Sequence, residues 1–106
     1  MAKLIMEQDF EKEVLNNENV VLVDFFATWC MPCKMLSQVI VDVENDLPKN
    51  VNIVKVDIDQ NMNLAKQFGV MSVPTIVVFK NGEVQEKSVG FKQANQLIDL
   101  ANKYNN

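Results

Sequence analysis

The stretch Val20-Val21-Leu22-Val23-Asp24-Phe25-Phe26-Ala27-Thr28-Trp29-Cys30-Met31-Pro32-Cys33 decides the fold. Its first eight residues are apolar except for Asp24, the pattern of a central strand buried on both faces. A helix is predicted immediately after it. Lys34 to Glu44 brings Leu36, Val39, Ile40 and Val43 to one side, with Leu47 continuing that side and Pro48 just past the end. Pro32 suits the first turn of that helix, where its missing N–H would be unpaired anyway. A buried strand feeding straight into a helix is the start of a parallel-sheet unit, and ligand or reaction sites in such sheets lie at the C-terminal strand ends. Cys30 and Cys33 fall there.

They are the only two cysteines, three positions apart. On a helix that spacing sets their Cα atoms about 5 Å apart, within the range a disulfide tolerates. As a staple the bond would be poor: closing so small a loop stabilises by roughly 2 kcal/mol, against about 3 kcal/mol for fifteen residues. A bridge that forms easily and stabilises little suits reversible redox chemistry. The competing readings are an inert buried pair and one half of a zinc site. Tetrahedral zinc wants four Cys or His ligands, which this chain could supply only together with a partner. At the helix N-terminus, free N–H groups and the helix dipole favour the Cys30 thiolate, whereas Cys33, one turn in, is expected to be more shielded. That separates an exposed nucleophile from a resolving thiol.

Composition narrows the remaining chemistry. The chain has 106 residues, 48% of them hydrophobic, which suits one domain spanning residues 1–106 and is too apolar for disorder. Histidine is absent, which removes Ser-His-Asp and Cys-His catalysis and the commonest metal ligand. All ten basic residues are lysine, the net charge is −4, and there is no cationic block, so nucleic-acid binding is not expected. Apolar runs are far shorter than the eighteen or so residues of a membrane span, and the apolar stretch near Leu4 is too short for a signal peptide. The expected compartment is the cytoplasm.

The rest of the chain reads as alternating elements without repeats or linkers. Residues 3–6 suggest a short strand, and Phe10, Val14 and Leu15 one side of a first helix. Residues 51–57 form a strand, and 61–68 a helix stopped by Gly69. Residues 75–79 and 83–89 flank Asn81-Gly82, a strong hairpin turn. A last helix carries Leu97, Leu100, Ala101 and Tyr104, weakly capped because Lys92 and Gln93 stand where Ser, Thr, Asp or Asn is preferred. The order β-α-β-α-β-α-β-β-α predicts an α/β fold, a mixed sheet with helices on both faces.

Three residues break the pattern near the cysteines. Asp24 lies on the same strand face as Leu22 and Phe26, and a carboxylate buried there needs a raised pKa or a cation, unless the strand end is simply solvated. Lys55 intrudes similarly in the next strand. It is either the natural partner of Asp24, forming a proton relay behind Cys33, or a solvated strand-end lysine. Pro74 precedes a strand inside the sheet, so it belongs at the strand's first residue or in a special turn. The ordinary preference of X–Pro bonds makes trans the expectation from these residues alone.

Taken together, Val23-Asp24-Phe25-Phe26-Ala27-Thr28-Trp29-Cys30-Met31-Pro32-Cys33-Lys34, Val54-Lys55-Val56-Asp57, Val73-Pro74-Thr75, Phe79-Lys80-Asn81-Gly82 and Val89-Gly90 resemble the thioredoxin family over essentially the full length. The resemblance implies the thioredoxin fold, a five-stranded mixed sheet flanked by four helices. It also implies reduction of protein disulfides with no bound cofactor, by a monomer recharged by a separate thioredoxin reductase. In that family's chemistry Cys30 would attack a client disulfide and Cys33 would resolve the mixed disulfide. Asp24 would assist proton transfer and Lys55 would tune Asp24. Pro74 would be cis, reversing the expectation above. Trp29, Met31, Pro32, Met71, Val73, Pro74 and Gly90 would form the docking surface, with the Val73 backbone pairing to the substrate as an added strand.

The chain also departs from the family's usual pattern. Met31 stands in place of the glycine after the first cysteine, which bears on the redox potential. Phe26 replaces a tryptophan, Met71 stands where arginine is frequent, and Gln38 replaces a proline, which predicts a straighter helix. Two other functions are open to the same residues: a more oxidising thiol oxidase or isomerase, and a binding or assembly partner gated by its redox state.

Overall fold

The structure is a computed structural model and describes residues 2–106. Five strands form one sheet in the order β1-β3-β2-β4-β5. They are β1 (Lys3–Leu4), β2 (Val20–Phe26), β3 (Asn52–Asp57), β4 (Thr75–Lys80) and β5 (Glu83–Val89). β2 occupies the centre, parallel to β3 and antiparallel to β4. This explains its sequence: with neighbours on both edges and helices over both faces, every residue from Val20 to Phe25 is buried, Asp24 included.

An N-terminal helical segment and helices α1 (Met31–Val43), α2 (Met62–Gln67) and α3 (Ala94–Lys103) cover the sheet. On one face Leu22, Ile53, Ile76 and Val78 meet Leu36, Ile40 and Val43 of α1 and Leu97, Leu100 and Ala101 of α3. On the other, Val21, Val23, Phe25, Val54, Val56 and Val77 meet Phe10, Val14 and Leu64. Phe10, Phe68 and Phe79 close that side as a trio with ring centroids 5.3 to 5.6 Å apart. The two layers hold β2 rigidly between them, so its C-terminal end is a fixed platform for the cysteines.

Some expectations need adjustment. The first strand is limited to Lys3–Leu4. The first helix is a 3-10 turn (Glu7–Asp9) followed by a π turn (Glu11–Leu15) instead of a regular α-helix. Phe10 and Val14 are buried there but the Leu15 side chain is exposed. Leu15 packs through its backbone, whose carbonyl occupies the space a Cβ on Gly82 would need. The Asn81-Gly82 turn has φ of 53° and 73°, the left-handed pair of a tight hairpin. Gly82 therefore serves both the turn and this close approach. Leu47 is buried beyond α1, after a further 3-10 turn (Glu44–Asp46), and Val39 is only half-buried. The start of α3 is better capped than its sequence suggested: the Gln96 side chain accepts from the Gln93 N–H at 2.8 Å.

Candidate functional site

The site forms where β2 ends. Cys30 is the N-cap of α1, with extended backbone (φ −96°, ψ 113°), and Pro32 sits in the first turn. Cys30 and Cys33 are joined in a disulfide with Cα atoms 5.2 Å apart. The N–H of Cys33 donates to Cys30 Sγ at 3.2 Å. That N–H is one of the helix-terminal donors with no partner inside the helix, and such donors favour negative charge on a sulfur placed there. The contrast in exposure expected between the two thiols is absent: Cys30 is 5% exposed and Cys33 3%. Ala27, Phe26 and Val73 close around both while they are bridged. What distinguishes them is position on the helix, cap against first turn.

The loop before β4 faces the disulfide. The Val73–Pro74 bond is cis, as the resemblance implies and against the preference of the local residues. The carbonyl oxygen of Val73 lies 3.7 Å from Cys30 Sγ. The Thr75 hydroxyl donates to the Ser72 carbonyl at 2.8 Å, holding the turn. Gly90 joins it from the end of β5, donating its N–H to the Pro74 carbonyl at 2.8 Å with φ of 96°. Trp29 (68% exposed), Met31 (63%) and Met71 (96%) are the outlying apolar side chains, and Pro32 is also exposed. Trp29 is held by an aspartate that sequence reasoning missed: its indole Nε1 donates to Asp59 Oδ2 at 2.8 Å. The acidic run Asp57-Ile58-Asp59 was its only trace in the sequence. α1 runs unbroken through Gln38, whose amide donates to Asp42 at 3.0 Å.

Asp24 lies on the β2 face that α1 covers, 1% exposed, and neither carboxylate oxygen has a hydrogen-bond partner. Burial raises its pKa from 3.8 to about 6, and the charge of Lys55 partly opposes the rise. Lys55 is directly in register with Asp24 across the parallel β2–β3 pair. Lys55 acts on Asp24 through its charge and makes no hydrogen bond to it. Lys55 Nζ donates to the Ser37 hydroxyl at 2.5 Å and stands 4.9 Å from the centroid of the Phe26 ring. An ammonium group has only a few short-range sites on this half-buried strand end, and the hydroxyl and the ring face supply them. A cleft of about 230 Å³ opens beside these groups, bounded by Phe26, Cys33, Lys34, Ser37 and Lys55. Cys33 and Lys55 both line it.

A disulfide at a helix cap, near a buried carboxylate and facing a cis-proline loop, is an arrangement for thiol exchange. The family model described as Thioredoxin matches residues 1–103. The chain belongs to the thioredoxin family. It is 45% identical to a thioredoxin of Rickettsia conorii over 103 residues, covering 97% of this chain and 98% of that one. It is 46% identical to a thioredoxin of Bacillus subtilis over 98 residues, 92% of each. Among solved structures it superposes on a mutant thioredoxin from Halobacterium salinarum NRC-1 with a TM-score of 0.88 at 35% identity, covering 99% of this chain and 91% of that one. The five-stranded mixed sheet with four flanking helices is thus the thioredoxin fold, and the protein is a thiol–disulfide oxidoreductase that reduces protein disulfides. The binding-partner and oxidase readings are not favoured. Among the described residues there is no cluster of three or more His, Cys, Asp or Glu side chains able to hold a metal, and no helix is long and apolar enough to cross a membrane.

Proposed function

We propose that Cys30 is the nucleophile and Cys33 the resolving thiol. The observation that carries this is the placement of Cys30 as the helix cap, with the Cys33 N–H aimed at its sulfur. The Cys30 thiolate attacks one sulfur of a client disulfide, forming a mixed disulfide and releasing the other client sulfur as thiolate, which takes up a proton. Cys33 then gives its proton to the Asp24 carboxylate, directly or through water, and its thiolate attacks Cys30 Sγ. The second client thiol leaves and the Cys30–Cys33 bond forms. Two electrons pass from the protein to the client, and the client gains two protons.

With a pKa of about 6, Asp24 is mostly ionised at neutral pH yet basic enough to accept a proton. Burial sets that basicity, and the charge of Lys55 moderates it. Trp29, Met31, Pro32, Met71, Val73, Pro74 and Gly90 form the client surface, the Val73 backbone adding the client as a strand. The chain acts as one domain and one monomer in the cytoplasm. It uses no bound cofactor, and a separate thioredoxin reductase returns the disulfide to the dithiol. Met31 between the cysteines moves its potential away from that of relatives carrying glycine there.

The test is Cys33→Ser with a disulfide-bonded client such as insulin. A stable adduct through Cys30 and loss of turnover are expected. Free client, or an adduct that still resolves, would overturn the assignment. Asp24→Asn should slow resolution of the adduct in the otherwise intact protein.

A further inference from the structure

We propose that Ser37 is a positioning residue of the redox couple: its hydroxyl holds the Lys55 ammonium over the Phe26 ring, beside Cys33, and so withholds that cation from Asp24. This rests on the reading of Asp24 as the proton acceptor for Cys33.

The placement follows from helix geometry. Ser37 is four residues after Cys33 on α1, so both lie on the same side of the helix, one turn apart. That side bounds the cleft that also exposes Lys55. Lys55 Nζ reaches across to Ser37 Oγ at 2.5 Å and takes the Phe26 ring as its second contact, at 4.9 Å from the centroid. Both contacts draw the ammonium toward the cleft, although its backbone is in register with Asp24. Asp24 is left with two buried oxygens and no donor.

Among the described residues, the surroundings of Asp24 offer no other cation to take that place. In register with it, β4 presents Ile76, which carries no charge, and β3 presents Lys55. Two residues further along the same β3 face, Asp57 is occupied by the N–H of Asp59 at 2.9 Å. From α1 the groups bounding the cleft are Cys33, Lys34 and Ser37, with Lys34 exposed to solvent. α3 meets this face of the sheet with Leu97, Leu100 and Ala101, which are apolar. The acidity of Asp24 therefore depends on where one flexible lysine stem rests, and a single hydroxyl on the active-site helix decides it.

Without the Ser37 hydroxyl, the unpartnered acceptor closest in register is the Asp24 carboxylate, and the ammonium should move to it. The test is a ¹³C NMR titration of the Asp24 carboxyl in the oxidised protein, comparing the natural chain with Ser37→Ala and Ser37→Thr. Ser37→Ala is expected to lower the Asp24 midpoint by about 1 pH unit, the scale of one cation brought into contact. Ser37→Thr keeps the hydroxyl and should leave the midpoint where it is. Adding Ser37→Ala to a Lys55→Gln protein should change nothing further, since the cation it releases is gone. An unchanged or raised midpoint in Ser37→Ala would overturn the proposal. An equal shift in Ser37→Thr, or an undiminished effect in Lys55→Gln, would do the same. The readout is the titration of one carboxyl, so the result is separable from the rate of adduct resolution in Asp24→Asn, which decides whether Asp24 and Cys33 act together in catalysis.

Discussion

The two faces of β2 are made by the same seven residues and have opposite characters. Val21, Val23 and Phe25 point into a cluster whose buried members are all apolar. Leu22, Asp24 and Phe26 point toward α1, and that row begins in the second apolar cluster but ends in an unpartnered carboxylate and a half-buried ring under Lys55. One face holds the sheet together along its whole length. The other gives up stability over its last two positions, where the proposed proton acceptor Asp24 and the half-buried Phe26 ring lie. The cost of the carboxylate is tolerable because the opposite face and the two neighbouring strands fix the backbone of Asp24 whether or not its side chain is satisfied.

The comparison can be broken most forcefully at Phe25. Phe25→Ala is expected to cost about 3–5 kcal/mol of unfolding free energy, measured by denaturant titration. The redox potential of the surviving folded protein should be unchanged; a displaced potential would mean that the two faces are not independent. Asp24→Ala should act in the opposite direction. The folded pKa of Asp24, about 6, exceeds its ordinary value of 3.8, so the folded state binds the proton more tightly than the unfolded one. Asp24 therefore destabilises the fold in full above about pH 6, and the penalty fades as the pH falls toward about 4. Its removal should stabilise the protein by up to about 3 kcal/mol at pH 8, and by clearly less at pH 4. Equal gains at both values would show that the carboxylate charge is not the cause. The smallest effect is expected at Phe26→Leu, which keeps an apolar floor but removes the ring face under Lys55. A loss of about 0.5–1 kcal/mol is the scale of such a cation–π contact. A loss several times larger would mean that Phe26 belongs to the structural core.

Much of the fold was readable without coordinates, and the reasons are local. Residues 20–26 read as a central strand because the apolar run is short and rich in Val and Phe, which suits a strand buried on both faces better than a helix. Asn81-Gly82 marks its hairpin through a backbone preference of the two residues themselves. The cysteine pair is legible because spacing and helix geometry act over one turn. The first helical segment was less legible: a 3-10 turn followed by a π turn carries no distinct periodicity, and Leu15, read as part of its buried side, is exposed. Asp59 and Ser37 escaped because each is an ordinary polar residue in its own segment. Their roles arise from Trp29 and Lys55, which lie 30 and 18 residues away.

The sequence by itself determined the elements, their order, the buried central strand and the reversible couple at its end, because these depend on periodicity, turn chemistry and spacing within a few residues. It also marked Asp24 and Lys55 as intruders in apolar strands. Only the tertiary structure decided what those two do to each other. Register placed them side by side, while a hydroxyl on α1 and the ring of Phe26 took the ammonium that the carboxylate lacks. That choice depends on distances among three separate elements, and no local rule of sequence encodes it.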